Sequence, residues 1–213
     1  MKKRVLCYGD SNTWGCKPGL GGRFPEDVRW TGVLQRLLGE DYAIIEEGHN
    51  GRTTVWDDPI ENRMSGLTYF YPCVESQSPL DVIIIALGVN DLKPRFNCAA
   101  GSIADGLGRY FSTLKYVPLY GKEPKVLLVS PAYIHPEYRK NHAIYEIYGE
   151  NAHERSKLLA PEYKLVAERY GADFLDAAQY AEADPLDGIH LDAASHRKLA
   201  EAVAEKVREM TGR

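Results

Sequence analysis

Short apolar runs alternate along this chain with longer segments in which apolar residues recur every three or four positions. Val5 to Tyr8, Tyr42 to Ile45, Val82 to Leu87, Val126 to Val129 and Phe174-Leu175 read as five strands. The third, Val-Ile-Ile-Ile-Ala-Leu, is apolar at every position, and the fourth is of the same kind. A half-exposed strand would alternate with polar residues, so these runs predict a parallel sheet covered on both faces.

Between the strands lie helical patterns. Thr31 to Leu38 carries Val33, Leu34, Leu37 and Leu38 on one side, and Ile103 to Leu114 is a second candidate. His142 to Tyr170 is long enough for two helices, with Pro161 suited to a first turn. Ala193 to Met210 closes the chain, with Leu199, Val203 and Val207 spaced by four and Asp192 as its natural N-cap. Strand and helix alternate throughout, which predicts a single three-layer α/β domain over residues 1–213. Pro18 to Asp27, Asp57 to Tyr71 and Pro131 to Glu150 read as irregular. Each follows a strand or its immediate continuation, where open parallel sheets bind ligands, so they are expected to wall a pocket or make oligomer contacts.

Composition narrows the class. At 213 residues, 44% hydrophobic and 26% charged, the chain can bury a large core. A net charge of −4 argues against a nucleic-acid partner, which favours a basic face. No apolar run approaches the roughly 18 to 20 residues that span a bilayer. Met1 to Cys7 passes from charge directly into a strand, without the apolar stretch and cleavage site of a signal peptide. The expected setting is cytoplasmic, without membrane association. The cysteines Cys7, Cys16, Cys73 and Cys98 form no CxxC pair and no zinc spacing with His, so reduced thiols and no metal are expected.

Four polar motifs stand at the ends of these elements. Gly9-Asp10-Ser11-Asn12 follows the first strand, where a helical start would surround the Ser11 hydroxyl with backbone N–H groups; a plain helix cap explains a serine there equally well. Gly48-His49-Asn50-Gly51-Arg52-Thr53-Thr54 follows the second strand, and Gly51 can bring its amide close to a substrate oxygen or simply make a turn. Gly88-Val89-Asn90-Asp91 follows the third, and the Asn90 amide can reach the same crevice or sit in a turn. Asp187-Gly188-Ile189-His190 precedes the last helix and places a carboxylate where it can orient a histidine base. Each motif is weak alone. Together they supply nucleophile, base, orienter and oxyanion donors on one sheet edge.

In this order the motifs resemble the four blocks of the SGNH (GDSL-like) hydrolases, named for their Ser, Gly, Asn and His. The resemblance spans nearly the whole chain. It is nearest to the bacterial arylesterase/acyltransferase branch, through Cys7 to Gly15, Asp27 to Leu34, Glu46 to Thr54, Asp57-Asp58-Pro59 and Asp187 to His190. It implies a flavodoxin-like three-layer α/β/α sandwich with five parallel strands. It implies Ser11 as nucleophile, His190 as base and Asp187 as its orienter, with the amides of Ser11 and Gly51 and the Asn90 side chain as oxyanion hole. It further implies homo-oligomers whose neighbours narrow the entrance to the site. Asn12 stands where the family often has Leu. Asp10, Asn12 and Trp14 flank the serine and are expected to contact substrate, Trp14 as a pocket wall.

Other assignments fit less well. An α/β-hydrolase needs GxSxG, and Gly9-Asp10-Ser11-Asn12-Thr13 lacks the second glycine. His153-Glu154 has no second His at metalloprotease spacing, and Gly19, Gly21 and Gly22 do not make GxGxxG. A non-catalytic binding module on the same scaffold would have lost part of the constellation, which is complete. Trp30 and Trp56 are expected to be packing residues, and His49, His135, His142 and His196 surface or structural. The expected substrates are small esters: short-chain aryl or alkyl esters first, acetylated sugars second, thioesters third. Transfer of the acyl group to an alcohol is a plausible companion activity, and no cofactor is required.

Overall fold

The computed structural model of the chain describes residues 1–19 and 21–212; Leu20, within the Pro18 to Asp27 stretch, lies outside the described residues. Five parallel strands form one sheet in the order β2-β1-β3-β4-β5: β1 (Lys3–Gly9), β2 (Tyr42–Gly48), β3 (Val82–Ala86), β4 (Lys125–Ser130) and β5 (Asp173–Asp176). The register pairs Gly9 with both Gly48 and Ala86, so β1, β2 and β3 end level with one another.

The apolar strands are explained by two separate cores. Leu6, Tyr8, Ile83, Ile85 and Leu128 face one side of the sheet, against α3 (Gly66–Gln77), α4 (Ala100–Leu114) and α7 (Leu159–Tyr170). Val5, Cys7, Val82, Ile84, Leu127 and Val129 face the other side, against α2 (Trp30–Leu38) and α8 (Ala193–Thr211). Period-2 alternation sends successive residues to opposite faces, and here both faces are buried. The result is the three-layer α/β/α sandwich expected from the strand pattern. Trp30, the first residue of α2, is buried in the core on the α2 and α8 side, and Trp56 packs partly buried against the opposite core. All four cysteines are free.

Several element bounds differ from the sequence reading. Strand β2 continues through Glu46 and Glu47 to Gly48, because an edge strand tolerates charge on its open side. Glu46 there receives two hydrogen bonds from Arg29, both 2.7 Å, and one from Thr31 at 2.5 Å. The Asp57 to Tyr71 stretch is not irregular throughout: α3 begins at Gly66, capped by Ser65 and carrying Pro72 inside it. Gly and Pro hide this helix from propensity, while Phe70, Cys73 and Val74 hold it by burial against the core. Pro131 to Glu150 contains a 3-10 turn (Pro136–Lys140) and the helix α5 (His142–Tyr148). The long pattern to Tyr170 is three helices: α5, α6 (Ala152–Lys157) and α7, with Pro161 in the first turn of the last. Asp192 caps α8 as expected, its carboxylate accepting from Ser195 N at 2.6 Å. No helix among the described residues is long and apolar enough to cross a membrane.

Candidate active site

Because all five strands run the same way, their C-terminal ends share one edge, and the polar motifs follow at that edge. After β1 the chain turns at Asp10 into the short helix α1 (Ser11–Trp14). The Asp10 carboxylate caps this helix by accepting from Asn12 N at 3.0 Å. The turn lies tight against the sheet: a Cβ on Gly9 would stand 2.0 Å from Thr13 Oγ1 and 2.8 Å from the Ala86 carbonyl. Ser11 therefore sits at the first turn of a helix, just past the C-terminal end of β1, 5% exposed.

Its hydroxyl lies 3.0 Å from His190 Nε2, across 179 residues of sequence. His190 Nδ1 lies 2.8 Å from Asp187 Oδ2. Every remaining acceptor position of that carboxylate is used: Oδ1 accepts from the amides of Ile189 and His190, both 2.9 Å, and Oδ2 also accepts from Gly19 N at 2.8 Å. Burial alone would raise Asp187, but the His190 hydrogen bond and charge, with the two amides, hold it well below the usual carboxylate range. Burial alone would lower His190; the Asp187 carboxylate carries it above the usual imidazole value. The arrangement favours a positive charge on the imidazole whenever it takes a proton.

Asn12 flanks the same histidine. Its Nδ2 donates to the Ile189 carbonyl at 3.2 Å and its Oδ1 accepts from Leu191 N at 3.0 Å. The side chain expected to contact substrate is instead occupied at both ends by the loop that carries His190. Asp10, 3% exposed, is engaged in its cap; burial raises its carboxyl to about 6. The Trp14 ring is half-buried and carries the Arg23 guanidinium 5.4 Å from its centre, so the Gly-rich stretch after α1 covers it.

On the other side of Ser11, Gly51 adopts φ +75°, a conformation that disfavours any side chain. Among the described residues neither its amide nor that of Ser11 donates to a protein acceptor. Asn90, 5% exposed, begins a 3-10 turn after β3, and its Nδ2 donates to the Arg52 carbonyl at 3.1 Å. Its second N–H is left for another partner.

Two residues without an expected role, Asp91 and Arg52, hold these turns in place. Asp91, buried, accepts from Thr54 N at 2.9 Å and from Thr54 Oγ1 at 2.5 Å, locking the turn after β3 to that after β2. Burial raises its carboxyl to about 6. Arg52, buried, donates to the carbonyls of Gly9, at 2.8 Å, and of Glu47, and lies 4.2 Å over the Tyr8 ring. Both stand inside motifs already singled out, but only their depth of burial reveals the role. Of the histidines set aside, His196 is structural: it is fully buried and its Nδ1 accepts from Trp30 N at 3.2 Å.

The fold, the serine turn and the four motifs define a class, and the chain belongs to the GDSL-like lipase/acylhydrolase family, which it matches over residues 7–198. These are the SGNH hydrolases. It resembles an aryl esterase of M. smegmatis, with a TM-score of 0.91 and 38% identity over 98% of this chain and 99% of that one. It is equally similar to a carbohydrate acetylesterase from Sinorhizobium meliloti, with a TM-score of 0.92 and 38% identity over 98% and 100% of the two chains. An acetylxylan esterase of Xylanibacter ruminicola is 26% identical over 96% of this chain, which spans 43% of that protein's length.

Proposed function

We propose that this chain is a serine esterase that cleaves short-chain aryl or alkyl esters through an acyl-enzyme, with Ser11 as nucleophile, His190 as base and Asp187 as orienter. The observation that carries the reading is the unbroken chain of contacts Ser11 Oγ–His190 Nε2–His190 Nδ1–Asp187 Oδ2, at 3.0 and 2.8 Å. His190 takes the Ser11 proton as Oγ bonds to the ester carbonyl carbon. The amides of Ser11 and Gly51 and the Asn90 amide receive the negative charge that builds on the carbonyl oxygen. The tetrahedral intermediate collapses, the carbon–alkoxy bond breaks, and His190 returns the proton to the departing alcohol. Water, deprotonated by His190, then attacks the acyl carbon; the carbon–Oγ bond breaks, His190 returns the proton to Ser11 Oγ, and the carboxylic acid leaves. An alcohol in place of water gives acyl transfer.

A second reading, an esterase of acetylated carbohydrates, is favoured by the likeness to the carbohydrate acetylesterase and to the acetylxylan esterase. Assay of p-nitrophenyl acetate through octanoate, beside an acetylated xylo-oligosaccharide, decides between them: a preference for the nitrophenyl esters supports the first, faster release from the sugar the second. Ser11→Ala is expected to abolish activity on either; full esterase activity in that variant would overturn the mechanism. We also propose a cytoplasmic homo-oligomer acting on a small-molecule ester, with neither nucleic acid nor membrane as partner. A strictly monomeric mass by light scattering at micromolar concentration would remove the oligomer.

A further inference from the structure

The insertion between β4 and α6 touches both halves of the site. At one end its His135 amide donates to the Gly188 carbonyl at 2.8 Å and Asn141 Nδ2 donates to the Leu186 carbonyl at 3.3 Å, so it braces the Asp187–His190 turn. At the other end it delivers Tyr148, the last residue of α5, whose hydroxyl donates to Asn90 Oδ1 at 3.2 Å in a buried contact.

We infer that Tyr148 is a positioning residue that fixes the Asn90 amide in the orientation that turns an N–H toward the oxyanion; this rests on the oxyanion role proposed above for Asn90. A primary amide has two orientations related by a half-turn, which exchange its oxygen and its nitrogen. In the observed one, Nδ2 meets the Arg52 carbonyl, which can only accept, and Oδ1 meets the Tyr148 hydroxyl, which can donate. The half-turned amide would set oxygen against the Arg52 carbonyl and leave no N–H at the site. The Arg52 carbonyl therefore selects the productive orientation, and the Tyr148 hydroxyl, by donating to Oδ1, holds the amide in it.

Tyr148 is itself held. The single O–H of fully buried Tyr138 is shared between the carbonyls of Gly149 and Glu150, at 2.6 and 2.7 Å, and its oxygen accepts from Ala152 N at 3.3 Å. A Cβ on Gly149 would stand 2.9 Å from Pro94 Cγ, so the corner after Tyr148 packs on the segment that follows Asn90. Burial first, then the nearby carboxylates Asp10, Glu61, Asp91 and Asp187, push the phenol well above its usual range, so it remains a donor across the working pH.

The test is a double-mutant cycle read as kcat and KM on a nitrophenyl ester. Tyr148→Phe keeps the ring and removes only the hydroxyl. It is expected to lower kcat about tenfold, the rate equivalent of one hydrogen bond, with KM within about twofold. Asn90→Ala is expected to lower kcat about 100-fold or more. In the Asn90→Ala background, Tyr148→Phe is expected to change kcat by less than about twofold, because its target is gone. Wild-type kcat in Tyr148→Phe, or the same tenfold loss in both backgrounds, overturns the inference and leaves the proposed esterase mechanism standing. Wild-type kcat in Asn90→Ala overturns the oxyanion role itself and the inference with it. A merely structural role would lower the melting temperature and the rate alike in both backgrounds, so the cycle separates the two even if Tyr148→Phe is less stable.

Discussion

In the Asp187–His190 arm of the site, acid and base lie three residues apart in one turn, and the contacts that orient them come mainly from that turn's own amides. In the Asn90 arm, the amide is set by a carbonyl 38 residues away and a hydroxyl 58 residues away in the opposite chain direction. The first arm is a local device that needs only to be docked, and Asn12 docks it by bonding either side of His190. The second is assembled from three loops and depends on the whole sheet edge to bring them together. A local device tolerates change elsewhere in the protein; an assembled one inherits every displacement of the loops that build it.

The largest test of this contrast is Asp187→Asn. It keeps the shape of the turn but removes the charge that holds the imidazole, and kcat is expected to fall about 10³- to 10⁴-fold with little change in KM. Retention of more than a tenth of the activity would show that a group outside the turn orients His190. Asn12→Ala comes next. Losing both bonds to the His190 loop is expected to lower kcat about 10- to 100-fold, through misplacement of the base rather than loss of binding. A rise in KM with unchanged kcat would instead make Asn12 a substrate contact, as its place beside the serine first suggested.

The smallest effect concerns pH. The base must be neutral to take the serine proton, and Asp187 raises its affinity for protons. The acid limb of kcat/KM is therefore expected above the free imidazole value of about 6.5, with activity rising as pH increases through it. A limb below about 6.5 would contradict this reading of the base.

What was legible in the sequence follows the same division. The central strands were legible because the middles of β1, β3 and β4 are buried on both faces and are therefore runs of apolar residues. The motifs around Ser11, Gly51, Asn90 and His190 were legible because each occupies a short stretch at an element end. Helix α3 was not, since its Gly66 and Pro72 oppose helix propensity and only burial of Phe70, Cys73 and Val74 holds it. Neither was the occupation of Asn12, whose partners Ile189 and Leu191 lie at the far end of the chain. Tyr148 carried no local signal among the tyrosines of its insertion, because its partner Asn90 belongs to a different loop.

The central claim is that Ser11 is the nucleophile and that His190 activates it. The most direct measurement is to treat the unaltered protein and His190→Ala with phenylmethylsulfonyl fluoride and locate the adduct by peptide mass spectrometry. The account predicts one sulfonyl adduct per chain, on Ser11, formed with loss of esterase activity and at least about 100-fold more slowly in the variant. Modification at another residue, or labelling of Ser11 at an unchanged rate without His190, would contradict it.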